Sequence, residues 1–520
     1  MIFRGPYPDV SIPEVPLTPF VLGRAEELAD KPAIIEGPTG RTFTYGEFAR
    51  RVRKAAAGLA SRGFRKGDVF GIYSFNCPEY AVAFHAVSLL GGIITPVNPL
   101  YTCDELAHQL KDAGAKFLLT APQLMDRALE AARKIGIEEV FVIGEAEGAA
   151  PFDSLLDHDA LAEQAEVNPR EDLLVLPYSS GTTGLPKGVM LTHYNLVANL
   201  RQMEGLDYFH EHDTLICILP LFHIYGLVVV LNMGLYTGAT IVTMPRFDLE
   251  QFLMTIEKYG VTLAHIVPPV VLALAKHPAV DRYDLSKLKT IFSGAAPLGE
   301  ALSRELINRL GCSLRQGYGM TETSPVTHTS PADPRRVKLG SVGTPAPNTE
   351  CKIVDPATGD GLGPRAEGEV CVRGPQVMKG YLNNPEATAR TIDAEGWLHT
   401  GDVGYADEES NFFIVDRVKE LIKYKGFQVA PAELEAVLLT HPAVADAAVI
   451  PSPDDEAGEV PKAFVVPKGE ITAEEILAHV AARVAPHKKV RKLEFVEQIP
   501  KSASGKILRR VLVERERAKH

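Results

Sequence analysis

Ser179-Ser180-Gly181-Thr182-Thr183-Gly184-Leu185-Pro186-Lys187-Gly188 packs three glycines, four hydroxyl side chains and one lysine into ten residues, directly after the apolar run 173–176. A strand that opens into such a loop suits a polyanion. Glycine lets backbone N–H groups close on phosphate oxygens, the hydroxyls donate further bonds, and Lys187 adds a point charge. It is not a Walker A loop, because Pro186 stands where G-x-x-x-x-G-K-[ST] needs its second glycine.

Outward from this loop, apolar strand-sized runs alternate with helical stretches. The strand runs are 69–73, 93–96, 117–120, 140–143, 173–176, 215–219, 239–242, 263–266 and 289–293, with helices over 45–61, 79–90 and 250–259. Such alternation predicts an α/β fold of doubly wound, parallel sheets. From about residue 340 the pattern turns to short strands with Gly, Pro and Asn turns (351–354, 369–373), which predicts a small β-rich subdomain over about 340–416. Beyond a boundary near 416–419, helices at 431–440 and 473–484 and strands at 445–450 and 463–466 predict a small α+β module. The expected division is therefore 1–416 and 417–520, as 520 residues exceed one compact core.

A formal net charge of −12 argues against nucleic-acid or anionic-membrane binding, which calls for a basic surface. Six scattered cysteines without a C-x-x-C pair predict reduced thiols. With neither a signal-like start nor a Ser-Lys-Leu tail, the expected compartment is the cytoplasm. Residues 214–245 carry no formal charge, but Pro220, Gly226, Gly234 and Gly238 interrupt them. A buried core segment is expected there, and no membrane span. Oligomeric state, monomer or homodimer, is not encoded in any pattern here.

Five further stretches stand in fixed order with the loop. They are Gln316-Gly317-Tyr318-Gly319-Met320-Thr321-Glu322, Gly368-Glu369-Val370-Cys371-Val372-Arg373-Gly374, Thr400-Gly401-Asp402, the run from Asp416 to Gly426, and Ser504-Gly505-Lys506, and the run from Ile422 to Glu433 continues the fourth. Together they resemble the signature set of the adenylate-forming superfamily, which includes acyl-CoA synthetases, coumarate–CoA ligases, beetle luciferases and peptide-synthetase adenylation domains. The likeness is strongest to the coumarate–CoA ligase and luciferase-like branch. It implies a large N-terminal domain, a mobile C-terminal lid, and ATP, Mg²⁺ and CoA acting on a small carboxylic acid. A carboxylate is a poor electrophile. Attack on the α-phosphorus of ATP would give an acyl-adenylate, which the CoA thiol would then open.

The resemblance also implies roles. Ser179, Ser180, Gly181, Thr182, Thr183, Gly184 and Lys187 would hold the β- and γ-phosphates, and Glu322 with Thr182 would hold Mg²⁺. Gln316, Gly317, Tyr318, Gly319, Met320, Thr321 and the stretch Gly294-Ala295-Ala296-Pro297 would line the adenine site, with the Tyr318 ring exposed for stacking. Asp402 and Arg417 would take the ribose hydroxyls. Lys506 would bridge the acyl carboxylate and the α-phosphate, assisted by Lys423 and Gln428. Lys419 would be the hinge that withdraws Lys506 and presents Lys425 and Gly426 to the CoA arm. His223 would close the carboxylate end of an acyl pocket lined by Ile224, Tyr225, Val228, Ile266, Phe292, Gly294, Gly317, Pro325 and Val326.

Two pocket positions depart from the plant coumarate ligase pattern. Phe292 stands where many of those enzymes have lysine, and Val228 where some have asparagine. A buried phenol without a partner costs about 1–3 kcal/mol. The expectation is therefore a preference for cinnamate, phenylalkanoates or medium-chain fatty acids over hydroxylated acids. Fatty acyl-CoA synthesis and a luciferase-like side activity are the alternatives. Peptide-synthetase adenylation is disfavoured because no carrier segment follows Arg510.

Overall fold

The computed structural model describes residues 1–157, 159–179, 186–425, 427–454, 456–502 and 505–517. Side chains of Phe427, Gln428 and Arg517 lie outside that description, as do Ser180, Gly181, Thr182, Thr183, Gly184 and Gly426. Four sheets organise the described residues. The first runs Gly380–Tyr381, Lys187–Thr192, Leu173–Val175, Ile93–Val97, Val69–Tyr73, Ala115–Thr120, Glu139–Val142 and Ala150–Pro151, with Tyr178–Ser179 beside Lys187–Thr192. Its centre is parallel and its Lys187–Thr192 edge antiparallel. The second runs from Thr344–Pro345 through Val326–Thr329, Ser313–Gly319, Thr290–Ser293, Leu263–Ile266, Thr214–Cys217, Thr240–Thr243 and Pro32–Glu36 to Thr42–Thr44. The fold is thus α/β with mixed sheets in a large N-terminal domain and a smaller C-terminal domain.

Helices pack these sheets for reasons visible in their residues. Tyr45–Ser61 begins where Thr44 accepts from the Glu47 N–H, and it buries Tyr45, Phe48, Val52, Ala55, Ala56 and Leu59 on one stripe. Pro78–Leu89 is mostly apolar and buried along its whole length, with Glu79 paired to Arg41. One continuous apolar core joins both sheets.

The uncharged stretch 214–245 becomes a buried strand, a π-helix Tyr225–Asn232, a short helix Met233–Thr237 and a second strand. Among the described residues no helix is long and apolar enough to cross a membrane. A Cβ on Gly226 would lie 2.4 Å from the Pro220 carbonyl oxygen, so only glycine admits this close return of the chain.

Glu350–Val354, Gly368–Arg373, Leu398–Ala406 and Phe412–Arg417 form the third, antiparallel sheet, as the turn-rich sequence predicts. The fourth joins Phe427–Val429, Ile422–Tyr424, Gly458–Pro467, Val444–Asp454 and Lys492–Phe495 and has its own apolar core. Here the expected strands 445–450 and 463–466 extend into an eleven- and a ten-residue pair, and the expected helix 473–484 ends at Ala481. Ser313–Gly319 is a strand that the expected list lacks, since its glycines and polar residues hide any apolar run.

Candidate active site

The two domains enclose a cavity of about 2700 Å³. One wall is the carboxyl end of the second sheet. Gly319 ends the strand Ser313–Gly319, and a Cβ there would meet the Pro325 carbonyl oxygen at 1.9 Å. The chain then turns through Thr321–Thr323 and places a buried Glu322 beside the first sheet. Glu322 Oε1 accepts from Ser179 Oγ at 2.9 Å and from the Tyr381 hydroxyl at 2.9 Å. Lys187 sits with its ammonium 4.0 Å from the Tyr381 ring centre. Burial lowers the Lys187 pKa, and the Glu322 charge opposes that shift. Ser179 and Lys187 are paired across an antiparallel ladder, so both ends of the glycine-rich loop are pinned. The loop itself, 180–185, lies outside the described residues. Tyr381 escaped the sequence reasoning: a lone tyrosine before Leu382-Asn383-Asn384 carries no signal until the sheet pairs it with Val189.

The third sheet contributes Asp402 and Arg417, which face each other across adjacent strands. Arg417 Nε lies 3.2 Å from Asp402 Oδ1, and the Tyr318 hydroxyl donates to Asp402 Oδ2 at 2.6 Å. Burial raises the Asp402 pKa against the opposing pull of Arg417. Against burial, which would lower it, Asp402 and Glu420 hold Arg417 above its ordinary value. Tyr318 is half-buried and lines the cavity, with its ring also against His328 at 5.6 Å, and its hydroxyl holds Asp402. Gln316 is buried and spans the strand ends, donating from Nε2 to the Leu298 carbonyl at 3.3 Å. Gly294, Ala295, Ala296, Pro297, Gly317, Met320 and Thr321 also line the cavity.

From the small domain, Lys506 enters the same cavity. It follows Gly505, whose φ is +78° and whose Cβ would stand 3.1 Å from Val267 Cγ2 of the large domain. Its side chain stays wetted by the cleft, yet the surrounding protein lowers its pKa by desolvation, then by Arg417, with Asp402, Glu322 and Glu420 opposing. Arg509 holds the segment from behind, reaching Glu420 at 2.5 Å and Glu435 at 2.7 Å. His223 is pushed down to about 3, by burial first and Lys506 second, so its ring is neutral. Its Nδ1 accepts from the Tyr225 N–H at 3.2 Å. Lys419 lines the cavity at the domain junction.

Several expected site residues fall elsewhere. Lys423 is exposed and is not among the cavity-lining residues; its backbone N–H donates to Glu459. Lys425, with φ +47°, is exposed and pairs with Glu456 at 2.5 Å. Of the expected acyl pocket, Ile224, Tyr225, Phe292, Gly294, Gly317, Pro325 and Val326 line the cavity, whereas Val228 and Ile266 are fully buried behind it. Val229 and His265 line it instead. A π-helix does not follow the 3.6-residue period, and strand alternation puts His265 and Ile266 on opposite faces.

A carboxylate-and-arginine pair, a second buried carboxylate, a desolvated lysine and a neutral histidine thus converge on one cleft with an apolar end. Residues 23–382 match the AMP-binding enzyme family model, and residues 433–506 match the model of the AMP-binding enzyme C-terminal domain. The chain belongs to the AMP-binding enzyme family. It is 47% identical over 523 residues to 4-coumarate–CoA ligase 1 of Petroselinum crispum, covering 98% of this chain and 96% of that one. It is 46% identical to a 4-coumarate–CoA ligase of Pinus taeda, covering 100% and 98%. Among solved structures it is similar to an anthranilate CoA ligase in complex with anthranoyl-AMP, with a TM-score of 0.91 at 28% identity and 98% of each chain covered. A benzoate CoA ligase from Burkholderia xenovorans LB400 gives a TM-score of 0.86 at 27% identity, with 96% and 99% covered.

Proposed function

We propose that the chain activates an aryl-propenoic acid of the coumarate kind, in the cytoplasm, and that residues 1–416 and 417–520 act as domain and lid. The chain is an ATP-dependent acid–CoA ligase. A carboxylate oxygen of the acid attacks the α-phosphorus of ATP; the α–β phosphate bond breaks and pyrophosphate leaves. The CoA sulfur then attacks the acyl carbonyl, the carbonyl–phosphate bond breaks, and AMP leaves with the bonding pair.

One observation carries the assignment of parts: Lys506 shares a cavity with Asp402, Glu322 and His223 while Lys423 and Lys425 stand outside it. That arrangement supports Lys506 as the cation that neutralises the meeting of carboxylate and α-phosphate. Asp402, oriented by Tyr318 and Arg417, takes the ribose. Neutral His223 closes the carboxylate end without adding charge. Rotation about Lys419 would exchange Lys506 for the Lys425–Gly426 face, which we assign to the CoA arm. Glu322 fits a Mg²⁺ ligand, because Oε1 takes both hydroxyl donors and leaves Oε2 without a partner among the described residues. With Thr182 it would hold the ion, whose chemistry would be to neutralise triphosphate charge. Six free cysteines support a reducing compartment.

The test is pyrophosphate release with ATP and Mg²⁺ across cinnamate, 4-coumarate, caffeate, benzoate and fatty acids of rising length, with and without CoA, and product masses. The expected result is CoA-dependent acyl-CoA from the aryl-propenoic acids. Turnover of fatty acids alone would overturn the substrate class. Adenylate without thioester would overturn the ligase itself.

A further inference from the structure

His265 is a polar side chain in the cavity lining that the reaction does not use. His265 stands on the strand Leu263–Ile266, beside Phe292 of the next strand in register. Its ring lies stacked between Phe209, with centroids 5.4 Å apart and planes at 5°, and Phe292, at 5.0 Å and 7°. The Tyr225 hydroxyl meets its Nδ1 at 3.1 Å. Two stacking faces and one hydrogen bond fix the ring in position and rotation. Its Nε2 is buried and has no hydrogen-bond partner among the described residues. Phe209 and Phe292 on its two faces offer it none, and the hydroxyl of Tyr208, whose ring packs on Phe292, is already engaged by the Ser330 carbonyl.

A buried polar nitrogen left unpaired is costly, and proteins rarely carry one without a reason. We infer that His265 reads the ring end of the acid: its Nε2 hydrogen-bonds a hydroxyl carried far from the carboxylate, selecting phenolic over unsubstituted aryl-propenoic acids. This rests on the aryl-acid ligase reading. A hydroxyl suits the position under either tautomer. If Tyr225 donates to Nδ1, Nε2 carries the proton and donates to the phenol oxygen. If Nδ1 donates to Tyr225, Nε2 accepts the phenol proton. Hydrogen or methyl satisfies neither. Phe292 alone pointed to acids without a ring hydroxyl; the polar partner stands one strand over, in the residue that Phe292 stacks upon. Burial also holds the imidazole neutral, pushed down to about 3, so the contact does not titrate near neutral pH.

The experiment compares kcat/KM for 4-coumarate, cinnamate and 4-methylcinnamate in the full chain, in His265→Phe and in His265→Gln. His265→Phe extends the aromatic stack and removes the nitrogen; His265→Gln restores a hydrogen-bonding group. The wild type should favour 4-coumarate over both other acids. His265→Phe should lower 4-coumarate turnover roughly tenfold to a hundredfold while cinnamate changes less than about threefold, and His265→Gln should recover part of the preference. Cinnamate turnover reports that each variant is folded. A wild type indifferent to the hydroxyl, or a preference that survives His265→Phe, overturns the inference and leaves the ligase standing. So does a parallel loss on both acids in the two variants. A wild type that makes acyl-CoA from none of the aryl acids fails the earlier reading instead.

Discussion

The wall that the large domain turns to the cavity and the face that the lid turns to it are built on different terms. On the wall each polar site group is already held by another. Asp402 is fixed by Tyr318 and Arg417, and Glu322 by Ser179 and Tyr381. On the lid the charged groups are presented singly. Lys506 makes no ion pair among the described residues and Lys423 is exposed, while Lys425 pairs only with Glu456 of the lid itself. Pre-organised donors and acceptors stabilise a fixed ligand without reorganisation, whereas a lone lysine on a hinged body can be delivered and withdrawn. Under the proposed function, the contrast assigns binding to the wall and the choice of step to the lid.

If so, the two regions should fail differently when damaged. The largest effect belongs to Lys506→Ala. Adenylation, followed by pyrophosphate exchange, should fall on the order of 10² to 10³-fold, the usual loss for a preorganised charge on a reacting centre. Thioester formation from supplied acyl-adenylate should change less than about threefold. Equal loss in both half-reactions would dissolve the distinction between lid and wall, making Lys506 a general structural anchor.

How far this division could be read in advance depends on what each residue's role rests on. Helices and parallel strands were legible because apolar periodicity follows directly from burial: 45–61, 69–73 and 263–266 coincide with Tyr45–Ser61, Val69–Tyr73 and Leu263–Ile266. That Lys506, Asp402 and Glu322 would meet in one cleft was legible because they stand inside ordered motifs. Tyr381 and His265 were not, because each acquires its role from a partner on another strand. Tyr381 needs Glu322, and His265 needs Phe292 and Tyr225. Val228 and Ile266 were misplaced for a related reason. One residue of helical phase or strand alternation decides which side chain faces a cavity, and motif order does not encode that phase.

A smaller effect tests the wall. Asp402→Asn removes the carboxylate that Arg417 and Tyr318 orient while keeping its shape. The KM for ATP should rise roughly tenfold, the scale of one charge-assisted hydrogen bond, in exchange and in full turnover alike. Tyr318→Phe should give a weaker version of the same change. If Asp402→Asn instead spared adenylation and slowed only thioester formation, Asp402 would belong to the step-selecting group, and the wall would not be a pure binding surface.

The smallest effect is a matter of pH, and its sign follows from burial. Lys506 must be cationic to face carboxylate and phosphate together, and the protein lowers its pKa below the ordinary 10.5. The cation is present at low pH and is lost as pH rises through that lowered value. Pyrophosphate exchange should therefore decline, by a few-fold, on an alkaline limb that begins below the range of a free lysine. Lys506→Arg should remove the limb, since a guanidinium keeps its charge throughout. His223, held near 3, should contribute no imidazole limb around neutrality. Of the wall groups, Arg417 predicts no such alkaline dependence, because it sits above its ordinary value, whereas Lys187, lowered by burial, is the wall cation that a residual limb would report. An alkaline limb that persists in Lys506→Arg would move the titrating group off the lid.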